Sequence, residues 1–313
     1  MKFSSCVPVN VISPQPVVEY LAQRFTYHSH ADWVSLINSG KICIDGRTAL
    51  PQDTIVGKQT VEYDAGEFDE PPADLGYTIL YEDQWLLAVN KPGNLLIHRA
   101  GRSFRNNLMY QLRSAHVPPY PGAHSIHRLD RNTSGIVLVA KSSELLAEIA
   151  DQFRKRTVHK WYDAIVEGIP SGTVERIELP IGKDNGAGFA AKFRIDESGK
   201  EAVTLVERCT PAGTGCAHLV LRPLTGRTHQ LRVHCAAIGH PIIGDQLYGS
   251  SVSVSEKPAE NPDTTGRWHL PQRHALHCGR IVFHHPAKNE ECCIEAPLPE
   301  EMQMLLQRLS GLP

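Results

Sequence analysis

Residues Ile126–Lys141 read IHRLDRNTSGIVLVAK, with a histidine and two arginines gathered about a single carboxylate, Asp130, just before an apolar run. That run, GIVLVA, is rich in β-branched side chains and suits a buried strand. Asp130 therefore falls in the turn that delivers the chain into the strand, downstream of the Pro- and Gly-rich stretch HVPPYPGAHS. Cations beside a carboxylate favour its ionised form, which suits a nucleophile or a base more than a general acid. The simplest alternative is a salt bridge that rigidifies the turn. The hydroxyls of Thr133 and Ser134 are expected to bond the turn's own backbone.

Around this strand the chain offers several more. YTILYEDQWLLAVNKPG predicts strands over Tyr77–Tyr81 and Trp85–Val89 that end at Pro92, and WYDAIVE, AVTLVE and AHLVLRP read likewise. Helices are expected at ELLAEIADQFRKR, capped by Ser142-Ser143, at RTHQLRVHCAAIG with its stop at Gly239, and at PEEMQMLLQRL. Strands that mostly follow one another without intervening helices predict an α+β fold on a largely antiparallel, mixed sheet. No internal repeat is visible.

The first residues form a different unit. PVVEYLAQRF and HADWVSLINSGK carry helical periodicity, and KICIDGR alternates before turning at Asp45-Gly46, a hairpin signal. The acidic, proline-bearing stretch DAGEFDEPPADLG reads as a linker, so a small module over residues 1–66 and a larger domain over 67–313 are expected. The stretch LINSGKICIDG resembles that of the S4 RNA-binding module. With only Lys41, Arg47 and Lys58 nearby, the expected RNA affinity is weak, and a packing appendage is the alternative.

The 313-residue length accommodates two unequal domains, and 41% hydrophobic with 21% charged residues is an ordinary globular composition. The chain begins without an apolar leader and contains no apolar segment of membrane-spanning length, so a soluble, cytoplasmic protein without membrane partners is expected. The eight cysteines form no C-x-x-C pair and are expected to be reduced. The net charge of −2 conceals a polar distribution. From Asp64 to Asp83 there are seven acids and no Lys or Arg, whereas Arg99 to Lys160 holds eleven Lys and Arg against four acids. Such a basic segment is either a solvated face or a surface for a polyanion.

Two further constellations add to the Asp130 turn. LTGRTHQLRVHCAAIGHPIIGDQLYG (residues 224–249) places Arg227 at the junction of loop and helix, where its fork can reach a carboxylate from elsewhere in the fold, while Thr228, His229 and Gln230 form a polar first turn able to meet phosphate. A capped helix and a glycine loop is the alternative. HKWYDAIV puts Lys160, Tyr162 and Ala164 on one face of a strand, an aromatic beside a cation that suits base stacking, although such a tyrosine is more often core.

Together HRLDRNTSG, the downstream KWY and GRTHQLRVH with GHPIIGDQLYG resemble, in type and order, the motifs of the RluA-type pseudouridine synthases, over roughly Tyr77 to the C-terminus. The resemblance implies RNA-uridine isomerisation: the N1 glycosidic bond breaks, the base rotates, and C5 is rejoined to C1′. It implies that Asp130 is the nucleophile or base, with attack on C1′, addition to C6 and removal of the 2′-proton all open. It further implies that Arg227 pairs with that carboxylate, that Tyr162 stacks on the target base and that Arg128 displaces it from the RNA. Lys160, His229, Gln230 and Arg232 join Arg128 as candidates for RNA contact and base flipping. No metal, nucleotide or other cofactor is implied, and a monomer is expected. The S4-like module favours large-subunit ribosomal RNA over tRNA as the substrate. Asn94 departs from the family's glycine, but Asn tolerates positive φ and the turn is expected to survive.

Rival readings are weaker. His274, His277 and Cys278 with His284 or His285 match no standard tetrahedral spacing. GAGFAA (186–191) is a partial dinucleotide fingerprint that follows a polar stretch rather than a strand, and no G-x-S-x-G elbow or P-loop is present. A catalytically silent RNA-binding protein of the same fold has no chemical reason to hold Asp130, Arg227 and Tyr162 together. An enzyme acting on a non-RNA pyrimidine has no reason for a leading RNA-binding module. The polar stretch Ser250–Gly266 reads as a surface loop.

Overall fold

The computed structural model describes residues 2–66, 69–172, 174–184, 192–213, 215–249 and 273–311. The expected loops at 186–191 and 250–266 lie outside the described residues. The chain divides into two compact units, one of Met1–Pro72 with Arg99–Asn106 and one of Ala73–His98 with Asn107–Pro313.

In the smaller unit the helices Val17–Arg24 and His30–Asn38 form where the periodicity predicts them. The second is fixed by a capping box in which Ser29 and Asp32 exchange side-chain and backbone hydrogen bonds. Strands Ile42–Ile44 and Arg47–Thr48 pair as a hairpin, and Asp45 and Gly46 take φ of 50° and 80°, the left-handed pair a tight hairpin demands. Val17, Leu21, Trp33, Ile37, Ile42 and Ile55 are fully buried and form this unit's own core.

The larger unit is built on a ten-stranded sheet, whose main path runs 176–178, 203–211, 216–223, 159–167, 276–285, 134–140, 86–91, 78–82. Its described pairings are antiparallel except that of Ser134–Ala140 with Leu276–His285, so the mixed α+β sheet predicted from the sequence is present. The helices Leu146–Arg154, Gln230–Ala237 and Glu300–Leu309 also occur where expected. Ser142 and Ser143 do not cap the first of these. It begins after Leu145 without a side-chain cap, and the Ser142 hydroxyl instead accepts from Glu144 N–H at 3.3 Å.

The strand after the Asp130 turn is central, with all of Ser134–Ala140 buried. Burying each of Ile136, Val137, Leu138 and Val139 contributes about 1.5–3 kcal/mol, so the register of this strand is firmly set. Gly135 lies opposite Lys91 on one side and Cys278 on the other. It has φ 113°, and a Cβ there would overlap the Cys278 carbonyl and amide. Only glycine admits that approach, which brings the end of the turn against the Leu276–His285 strand.

Candidate active site

The turn that carries Asp130 is held from several sides. Thr133 N–H donates to the Asp130 carbonyl at 3.1 Å, closing it. The Arg131 carbonyl accepts from Leu95 N–H at 3.1 Å and from the Lys91 ammonium at 3.1 Å. Lys91 is completely buried and donates its other two protons to the carbonyls of Pro92 (2.7 Å) and Leu95 (3.0 Å). Three donors thus meet three acceptors with no carboxylate involved. Burial pushes this ammonium down to about 7, a direction the three carbonyl dipoles oppose. Asn94 Oδ1 accepts from Arg131 Nε at 2.9 Å and sits at φ 54°, the conformation expected of it.

The hydroxyls of the Thr-Ser pair do not serve the turn's own backbone. Thr133 Oγ1 bonds His274 Nε2 at 2.8 Å, and Ser134 Oγ bonds His277 Nδ1 at 2.9 Å. Arg273 reaches the Asn132 carbonyl at 2.9 Å and Ser134 Oγ at 2.9 Å. Burial pushes His274 down to about 3 and His277 to about 4, so both are neutral braces of the turn. Among the described residues no cluster of three or more His, Cys, Asp or Glu side chains is arranged to hold a metal.

The cation that meets the Asp130 carboxylate is Arg232. Its Nη1 donates to Asp130 Oδ2 at 3.2 Å, while Nε and Nη2 form a bidentate pair with Asp245 at 2.7 and 2.8 Å. Asp245, with no side-chain exposure, also accepts from the N–H groups of Leu247 (2.9 Å) and Tyr248 (3.1 Å). Burial works against both charges. The Arg232 hydrogen bonds more than offset it at Asp245, held below the usual carboxylate range, and the Asp245 bonds do so at Arg232, held above the ordinary arginine range.

Arg227 does not pair with Asp130, which corrects the expectation drawn from its place in the motif. Its Nε donates to the Glu201 carbonyl at 2.8 Å, since Arg227 precedes the helix, whereas Arg232 lies in the helix's first turn. Gln230 also departs from the expected RNA contact. It is 4% exposed and its amide is fully engaged, accepting from Thr225 Oγ1 (2.7 Å) and Arg227 N–H (3.0 Å) and donating to Val203 O (2.9 Å) and Thr204 Oγ1 (3.0 Å). It fixes the loop-to-helix junction.

His229 takes a left-handed φ of 56° at the helix start. Its Nδ1 lies 2.9 Å from Tyr248 Oη, which itself accepts from Phe193 N–H at 2.9 Å. With one lone pair of Oη taken by Phe193, a phenolic proton given to Nδ1 is the arrangement that places the ring proton of His229 on Nε2, 3.8 Å from Asp130 Oδ2. Burial lowers the His229 value, in keeping with a neutral ring. Tyr162 is buried, and burial, with Cys278 and Asp130 adding to it, raises its phenol well above the ordinary tyrosine range. Lys160 lies 6.0 Å over the Tyr162 ring and 5.6 Å over Phe153, and burial pushes its ammonium below the ordinary lysine range. Trp161 faces the other side of the sheet, where Nε1 donates to Glu207 at 2.6 Å, as strand alternation predicts. Arg128 is exposed, and its side chain makes no hydrogen bond or ion pair among the described residues.

Asp130, Arg128, Lys160, Tyr162, Arg227, His229 and Arg232 line one cavity of about 500 Å³. Sequence reasoning missed Lys91, Asp245, Arg273 and His274. Lys91 and Asp245 both stood within quoted motifs, but no spacing rule links either to a partner 40 or 13 residues away.

The comparisons with known proteins bear on what this cavity does. Residues 85–237, which hold the Asp130 turn, Tyr162 and Arg232, match the model of the RNA pseudouridylate synthase family. The chain is 33% identical over 301 residues to the ribosomal large subunit pseudouridine synthase D of Xanthomonas campestris pv. campestris, covering 92% of this chain and 87% of that protein. The chain belongs to the RNA pseudouridylate synthase family. It is 34% identical to the synthase of the same description from Pseudomonas aeruginosa, over 94% of this chain and 92% of the relative. Among solved structures, human RNA pseudouridylate synthase domain containing 1 superposes with a TM-score of 0.55 at 29% identity, covering 78% of this chain and 99% of that one. This synthase is thus an isomerase that acts on RNA. None of its described helices is long and apolar enough to cross a membrane.

Proposed function

We propose that this synthase converts specific uridines of large-subunit ribosomal RNA to pseudouridine, with Asp130 as nucleophile or base. The observation that carries the proposal is the pairing of Asp130 with Arg232, itself clamped by Asp245, in a cavity that Tyr162 also lines. The relatives' descriptions support the choice of RNA.

The arrangement divides the work. The Asp130 turn is immobilised by Lys91, Arg273 and His274, so its carboxylate is presented without reorganisation at the moment of reaction. Arg232 aims an N–H group at that carboxylate, with His229 Nε2 3.8 Å from the same oxygen, and so orients it for attack on C1′ or C6 or for removal of the 2′-proton. Tyr162 supplies an aromatic face for the uracil. Arg128, exposed and uncommitted, is the residue for the space the flipped base leaves, an exchange that costs a few kcal/mol of stacking. Lys160 beside Tyr162 offers positive charge to the base or to its flanking phosphate. The chemistry calls for no metal or cofactor, and the working unit is a monomer in the cytoplasm.

Residues 1–66 are proposed to serve as an S4-like RNA-binding module and 67–313 as the catalytic domain. The compact smaller unit includes Arg99–Asn106, which adds the exposed Arg99, Arg102 and Arg105 to a segment with few cations of its own. Incubating the protein with unmodified large-subunit ribosomal RNA and with unmodified tRNA, then mapping pseudouridine chemically, tests the reading. Modification at discrete ribosomal positions is expected, and modification of tRNA alone would redirect it.

A further inference from the structure

The Leu146–Arg154 helix ends in a hydrogen-bond pattern that usually requires glycine. Thr157 N–H donates to the Gln152 carbonyl at 3.0 Å and Arg156 N–H to the Phe153 carbonyl at 3.2 Å, the paired bonds of a Schellman turn. The residue between the two donors' partners and the departing chain must then be left-handed, and here it is Arg156, with φ 60°. An L-residue with a Cβ is disfavoured there and glycine is not. A cation at a helix C-terminus is favourable by about 0.3–1 kcal/mol, but Arg154 and Lys155 already supply that charge without a left-handed backbone.

The side chain has no structural employment that would explain it. Its ion pair, with Glu201, is 3.8 Å long, and the two side chains are 49% and 61% exposed, a pair that contributes little. Arg156 does line the cavity that holds Asp130, together with Arg128, Arg154 and Arg227. Arg232, deeper in the same cavity, is matched by Asp130 and Asp245. The cavity lining thus carries these four further arginines, of which Arg154 also pairs with Asp151 and Arg156 with Glu201, against one carboxylate, Asp130, which is committed to Arg232. Strained non-glycine backbone is a reason to look for a function served by its side chain.

We infer that Arg156 is a phosphate-binding residue of the substrate site, gripping the RNA backbone beside the target nucleotide with Arg154 next to it on the same helix end. The inference rests on the reading of this cavity as the RNA-uridine site and deepens it. A guanidinium fork fits two phosphate oxygens at once, and the left-handed turn takes Arg156 out of the helical path at a position that lines the cavity.

The test uses the full chain with in-vitro-transcribed, unmodified large-subunit ribosomal RNA, and compares wild type with Arg156→Gly, Arg156→Lys and Glu201→Gln. Arg156→Gly is expected to raise the melting temperature by about 2–4 °C, as relief of a left-handed residue does in a domain of this size. It is expected to weaken RNA binding roughly tenfold and to reduce the slope of log affinity against log salt by about one. Arg156→Lys keeps most of the slope, and Glu201→Gln leaves RNA binding at or above the wild-type level. Unchanged affinity and slope in Arg156→Gly, or a lowered melting temperature with unchanged RNA binding, overturns the inference. Wild-type protein that binds this RNA and isomerises no uridine overturns the functional reading instead, and the two failures are read from separate measurements.

Discussion

Replacing Asp245 by Asn isolates what the buried clamp behind the site contributes. Asp245 makes two short charge-assisted bonds to Arg232, at 2.7 and 2.8 Å, with its own side chain unexposed and that of Arg232 7% exposed. Removing one partner of a buried ion pair costs about 3–5 kcal/mol. Asn keeps the shape and one acceptor but turns an N–H₂ toward the guanidinium, so the lower end, about 3 kcal/mol, applies here. In a domain of this size that lowers the melting temperature by roughly 6–12 °C. The catalytic effect is separable. Arg232 loses the anchor that holds its Nη1 on Asp130, a bond to a charged group worth about 1.5–3 kcal/mol, so kcat is expected to fall about 10- to 100-fold. Asp245 is not on the cavity wall, so KM for RNA should move by less than about threefold. Single-turnover release of tritium from C5-labelled uridine, measured well below the melting temperature, reads the rate. A folded Asp245→Asn protein with wild-type kcat, or one whose whole loss lies in KM, refutes the reasoning.

Acid should destabilise the fold through the histidine braces. His274 and His277 have folded-state values of about 3 and 4 against an unfolded 6.5, so the unfolded chain takes up their protons first as pH falls. Their contribution is complete above 6.5 and is lost progressively below it, at pH 5 by about 4 kcal/mol for the pair. Thermal melts from pH 7.5 to 5 should show a steep fall in midpoint, and a flat profile contradicts the assignment. Gly135→Ala places a methyl on the Cys278 backbone at a left-handed φ and should cost more than about 4 kcal/mol. Soluble protein of that variant melting within a few degrees of wild type would show the close approach to be misjudged.

How much of this was legible in the sequence varies with the range of the interaction. The GIVLVA strand, the Asp45-Gly46 hairpin and the Gln230–Ala237 helix follow from local periodicity and turn chemistry, whereas the left-handed Asn94 was expected because it stands where the resembled family has glycine. The clustering of Asp130, Tyr162 and the second arginine-bearing segment was carried by motif resemblance rather than by periodicity. Partner choice was not legible. Arg227 and Arg232 are five residues apart in one motif, and which of them meets Asp130 depends on the residue at which the helix starts, a detail set by Gln230 bonding Thr225 and Thr204. Lys91 looked like one residue of a strand end, because three backbone carbonyls that converge on it leave no trace in side-chain composition.

The central claim is that the Asp130 carboxylate performs the isomerisation. Asp130→Asn preserves the side-chain shape in a turn whose backbone is fixed by other residues, so it should fold and bind RNA as wild type does. The decisive measurement is C5-tritium release from uridine-labelled large-subunit ribosomal RNA by the two proteins at equal RNA occupancy. Release by wild type and none above background by Asp130→Asn is expected. Turnover by Asp130→Asn near the wild-type rate contradicts it.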